Sequence, residues 1–88
     1  MENINIAQFK KRFCGDTLYV FTPVNILEEY KILKIVHCPF GVIFSDGNDK
    51  IVVSGIEKIL INDIGDQILF YCEDYFTGQQ NTYEFLIK

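Results

Sequence analysis

The chain has 88 residues, a net charge of -4, 49% hydrophobic and 15% aromatic residues. That length provides for one domain, 1–88, with no room for a second core, and the apolar content is too high for a disordered tail. The acidic balance argues against a duplex-DNA binder that works by neutralising phosphates.

Residues 3–13 are predicted as a short helix, capped by Asn3 or Asn5, with Ile6, Phe9 and Phe13 on one apolar face and Gly15 just beyond its end. Lys10, Lys11 and Arg12 then fall in its last turn, where cations favour the helix dipole. From Thr17 the apolar period drops to two. Residues 17–22 read as a strand ended by Pro23, and residues 29–37 as a longer one with apolar groups on both faces, as in a curved barrel strand. The intervening VNILEE (24–29) reads as a connection that either bulges or turns. Residues 40–45 and 50–54 flank Asp46-Gly47-Asn48-Asp49, the clearest hairpin signal in the chain. Gly55 breaks the second of these strands, and GIEKI reads as a single tight turn before ILIN (59–62). After a second turn at 63–66 come QILFYC (67–72), a polar connection EDYFTGQQN (73–81) and a last strand TYEFLIK (82–88). Six or seven short strands at this spacing, without crossover helices, define a mainly β, α+β fold. The expected architecture is a short N-terminal helix followed by a strongly bent antiparallel sheet or small barrel of 5–7 strands.

This pattern looks like an Sm-like or SH3-like small barrel, and VVSGIEKILI (52–61), a strand, a break and a strand, is similar to the second half of the Sm motif. The resemblance spans residues 3–72, with 73–88 as an added arm. It implies RNA binding or ring assembly, for which Lys10, Lys11, Arg12, His37 and Phe40 are the residues available. Sm-like RNA binders carry a polar Asp or Asn in the loop after their second strand and a cation beside the glycine of the second motif. Here that loop holds His37, Cys38, Pro39 and Phe40, and Ser54 precedes Gly55.

Catalytic and cofactor patterns are not found. His37 and Cys38 are sequence neighbours and so point to opposite faces of a strand. Cys14, Cys38 and Cys72 lack zinc-site spacing. Glu28-Glu29 and Glu73-Asp74 lie in connections, and no glycine-rich phosphate loop or nucleophile elbow is present. A non-enzymatic protein without cofactor or metal is expected. The odd cysteine count and the lack of a signal-like or membrane-length apolar run place it in the cytoplasm. Thirteen Ile and six Asn against a single Ala and a single Arg point to an AT-rich gene, as in a low-GC bacterium, its phage or a mobile element. A GC-rich coding sequence would contradict this.

Charge is unevenly spread. Residues 1–14 carry three cations and one acid, whereas residues 51–88 carry six acids against Lys58 and Lys88. Aromatic residues interleave with those acids, so Tyr71, Glu73, Asp74, Tyr75, Phe76 and Tyr83 are the candidate partner-binding residues. The expected role is protein–protein contact or self-association, with TYEFLIK as an edge strand free to pair. RNA binding is the alternative, and a structural subunit of a larger assembly the third reading.

Overall fold

The computed structural model describes residues 1–87. Nine strands and one helix succeed one another as β1 (Glu2–Ile4), α1 (Ile6–Phe13), β2 (Thr17–Phe21), β3 (Ile26–Lys31), β4 (Lys34–Cys38), β5 (Gly41–Ser45), β6 (Lys50–Ser54), β7 (Ile56–Ile61), β8 (Gln67–Glu73) and β9 (Gln80–Ile87). They form two antiparallel sheets, one ordered β1-β7-β8-β9-β2-β3 and the other β4-β5-β6. The fold is therefore mainly β, as the period-two pattern predicts, with the helix after a first short strand. The barrel is not closed into one wall.

The helix is shorter than the expected 3–13. Asn5 stops it: its side chain accepts from the Gln8 N–H at 2.8 Å while the Gln8 side chain accepts from the Asn5 N–H at 2.8 Å, a reciprocal cap. Residues before that cap are free to extend, and Ile4, pairing with Ile59, buries its branched side chain as the end of β1.

Two corners hand the chain from one sheet to the other. At the first, the Ile32 N–H donates to Asp16 O at 3.1 Å, continuing the β2–β3 ladder, and the next N–H, of Leu33, donates to Ser45 O at 2.9 Å, starting the β4–β5 ladder. The predicted strand 29–37 is thus one run bent between two partners. This is why both its faces carry apolar groups. The second corner is a single residue. The Gly55 N–H donates to Phe40 O at 3.1 Å, and its carbonyl accepts from the Glu73 N–H at 2.9 Å. Its φ is +66°, and a Cβ there would strike the Glu73 carbonyl oxygen, so only glycine fits. Residues 56–58, expected to turn, run straight on from this corner as the start of β7, with a register irregularity between Ile56 and Lys58.

Residues 26–28, expected in a connection that bulges or turns, are strand β3, and of the two the bulge is present. Glu28 and Glu29 lie where the β2–β3 register slips between Leu18 and Val20, and that bulge hides the alternation. The last strand also differs from expectation. β9 lies between β8 and β2, with Ile68 and Val20 both opposite Phe85, so it is an interior strand rather than an edge or an added arm. Of the predicted TYEFLIK, Lys88 lies outside the described residues.

Four phenylalanines from three layers meet at the centre: Phe9 of α1, Phe44 of β5, and Phe70 and Phe85 of β8 and β9. All four are fully buried. Each ring touches the other three at centroid separations between 5.0 and 5.8 Å, edge-on or tilted, the arrangement aromatic quadrupoles favour. Phe13 extends the group, 4.9 Å from Phe9. The helix is thereby seated between both sheets by its aromatic face, leaving Lys10, Lys11 and Arg12 exposed on its other side.

Candidate functional site

The β8–β9 reversal, residues 74–79, is built by Asp74. Its Oδ1 accepts from the backbone N–H groups of Phe76 and Thr77, each at 2.9 Å, while the Asp74 N–H donates to Gln79 O and its carbonyl accepts from the Gly78 N–H. The Thr77 and Phe76 amides hold the Asp74 carboxyl below the ordinary 3.8. This turn lifts Tyr75 and Phe76 clear of the protein, 81% and 90% exposed, with their rings edge-on at 5.3 Å.

The remaining candidates divide between the two faces of the sheet. Tyr71 and Glu73 alternate with the buried Phe70 and Cys72, so they lie on the outer face of β8. The Lys58 ammonium stands 5.1 Å from the Tyr71 ring centre, a cation–π contact across the outer face. Tyr83 lies opposite Phe70 and shares the inner face. It is half-buried, its hydroxyl donates to Val52 O at 3.3 Å, and burial raises its phenol, helped by Cys72 and Asp74. The structure thus brings Asp74, Tyr75 and Phe76 together at one apex, and keeps Tyr71 and Glu73 apart from Tyr83.

Tyr83 opens instead onto a groove of about 630 Å³ between the turn at 22–25, β3, β6 and the start of β9. Val24, Leu27 and Val52 provide its apolar lining. Sequence reasoning missed these residues. The available signal was branched apolar side chains where the pattern called for polar ones: Val24 after Pro23 and Val52 on the solvent side of KIVVS, 89% and 48% exposed. A second tyrosine ties the groove walls together, since the Tyr30 hydroxyl donates from β3 to Asp49 O at 2.7 Å. Burial, then Asp46 and Asp49, pushes its phenol up to about 12.

The residues considered for RNA lie on different grooves. Arg12 faces Glu2, Asp63 and Gly65, whereas His37 shares a separate groove with Asn5, Ile6 and Lys58. Phe40, half-exposed, sits in the β4–β5 turn. Among the described residues, no three His, Cys, Asp or Glu side chains converge to hold a metal ion, and no helix is long and apolar enough to cross a membrane.

The molecule is thus a small mainly β protein of two antiparallel sheets and one helix, with an aromatic apex and an apolar groove at its surface. Comparison with protein families, curated proteins and solved structures finds no match to this chain.

Proposed function

We propose that the protein is a non-catalytic binding module that recognises a protein partner through Tyr75 and Phe76. One observation supports this above the others: two adjacent large rings, 81% and 90% exposed, are held out on a turn whose own hydrogen bonds fix it. Covering about 300 Å² of aromatic surface would contribute roughly 7 kcal/mol before the costs of association. Acids beside the rings, Glu73 and Asp74, favour a protein surface over a nucleic-acid backbone.

The test is crosslinking and co-purification from the source cell, comparing the wild type with the double variant Tyr75→Ser, Phe76→Ser and identifying both protein and nucleic acid. Specific protein partners should be recovered with the wild type and lost with the variant. Equal recovery by both forms would overturn the proposal. So would recovery of RNA that persists in the variant and disappears when Lys10, Lys11 and Arg12 are neutralised.

A further inference from the structure

The smaller sheet turns one face to the core and the other outward. Ile35 of β4, Phe44 of β5 and Ile51 of β6 are buried, so their sequence neighbours point the opposite way. Two cross-strand rows result on the outer face: Lys34, Ser45 and Lys50, then Val36, Ile43 and Val52. Val36 and Val52 are exposed, and exposed Leu33 and half-exposed Phe40 flank β4. These three strands hold two lysines, one histidine and no acid. The acids of the intervening hairpin belong to the other phase. Asp46 follows outward Ser45, Asp49 precedes outward Lys50, and both act on the phenol of buried Tyr30, whose hydroxyl donates to Asp49 O.

The aromatic apex is the electrostatic counterpart of that face. Residues 73–81 hold Glu73, Asp74 and no cation. The Asp74 carboxylate is bound by the Phe76 and Thr77 N–H groups, and the Glu73 Oε1 lies 3.7 Å from where a Cβ on Gly78 would stand. Both negative charges therefore sit in the turn that carries Tyr75 and Phe76. Lys58, on the adjacent β7, is engaged with the Tyr71 ring. The other cations, Lys10, Lys11 and Arg12, share the exposed side of α1 with Ala7 and Gln8, which offers the rings no apolar row.

Resting on the reading of Tyr75 and Phe76 as a docking pair, we infer that their partner is a second copy of this chain. The apex of one copy docks on the outer face of β4, β5 and β6 of the next, rings on Val36, Ile43 and Val52, carboxylates towards Lys34 and Lys50. The spacing fits. Ring centres 5.3 Å apart match a face whose strands lie about 4.8 Å apart and whose rows repeat at about 6.7 Å. The two patches differ, so each copy offers one of each and the contact is heterologous. With an equal area on the sheet, the rings bury about 600 Å² in all, against the roughly 1,200 Å² at which stable interfaces begin, so association is weak and concentration-dependent. The net charge of -4 on each copy is screened beyond about 8 Å at physiological salt, which leaves the facing patches to act at contact.

The test is sedimentation of the purified chain from micromolar to millimolar concentration. The average mass of the wild type should rise. An apex variant, Tyr75→Ser with Phe76→Ser, and a face variant, Lys34→Glu with Lys50→Glu, should each weaken association by about tenfold or more. A control, Lys10→Glu with Lys11→Glu, changes the net charge equally and should associate as the wild type does. Amide dispersion confirms the fold of each variant. The mixture is decisive, because the face variant keeps its apex and the apex variant keeps its face. Together they should form a one-to-one pair that neither forms alone. Isotope labelling should then place the amide shifts in residues 34–54 of the apex variant and residues 73–79 of the face variant. A wild type that stays monomeric, an apex or face variant that associates undiminished, a control that weakens as much as the face variant, or a mixture without pairing would each overturn self-docking. The co-purification separates this from the reading it rests on. If the wild type is monomeric while another protein is recovered only when the rings are present, self-docking alone falls. If the apex variant associates undiminished and recovers every partner, the binding-module reading falls with it.

Discussion

Replacing Phe9 by Ala tests whether the helix is seated as described. Phe9 is fully buried, and its ring touches those of Phe13, Phe44, Phe70 and Phe85. Truncation removes most of an aromatic side chain worth about 150–250 Å² of burial and leaves a cavity that four rigid neighbours fill poorly, so the loss should be about 4 kcal/mol. An 88-residue domain has roughly 4–13 kcal/mol in total, so the variant should be barely folded or molten. Where folded, its melting midpoint should fall by about 15–30 °C. Urea unfolding followed by far-ultraviolet circular dichroism and tyrosine fluorescence suits a chain without Trp. Phe9→Leu, which refills much of the volume but loses the ring contacts, should cost about 1–2 kcal/mol. Phe76→Ala, at an exposed position, should stay within about 0.5 kcal/mol. If Phe9→Ala costs less than about 1 kcal/mol, the helix is not held between the sheets by these rings, and the account of the core is wrong.

Gly55→Ala should destabilise by more than about 2 kcal/mol, since it adds a clash with the Glu73 carbonyl to a positive φ; a near-neutral result in urea unfolding would refute the one-residue corner. Tyr30 should be among the last tyrosines to ionise in an ultraviolet titration, near 12. Because its folded value lies above the ordinary 10.0, its contribution is complete below 10 and lost as pH rises towards 12, and Tyr30→Phe should remove that loss. Under native conditions exposed Cys14 should be alkylated quickly. Buried Cys72, whose thiol is pushed up to about 11 by desolvation and Glu57, should react only as the protein unfolds, which peptide mapping would read directly.

Local chemistry was legible in part where a side chain and its backbone partner are neighbours in sequence. The 46–49 hairpin is readable from its residue types, and Asp46 closes it by accepting from the Asn48 and Asp49 N–H groups; Asn5 is one of two caps that residue type offers for the helix, while its reciprocal bond with Gln8 is not anticipated. The same device at Asp74 went unrecognised. It begins a segment that also carries two aromatics, and residue types alone do not say whether Tyr75 and Phe76 stand out from the surface. Corners were hidden for a different reason. At Ile32–Leu33 the inward phase slips, Ile32 and Ile35 being buried with Leu33 and Lys34 exposed between them, as the pairing partner changes, and a partner is not written in a local pattern. Partner choice also decided the fate of the last strand. Alternation in TYEFLIK identifies a strand, but that Phe85 lies opposite both Val20 and Ile68 depends on residues far away in the chain. The groove escaped notice because its walls, β3 and β6, become neighbours only after the corner at Ile32–Leu33 and the two hairpins that follow it have turned.

The pairing of β2 with β9 sets a condition on synthesis. Leu18 lies opposite Ile87, and Phe85 completes the aromatic centre that Phe9 enters. Nearly everything between these positions must leave the ribosome before the larger sheet can join its middle strands. Until then β2 has only β3 beside it, and α1 lacks one of the rings that receive it. Assembly therefore waits for β9 and is governed by a long loop closure, which makes it slow for so small a domain. During that delay the unpaired side of β2 is open to strands of other chains. Expression yield should therefore depend more on temperature and crowding during synthesis than on the stability of the finished protein.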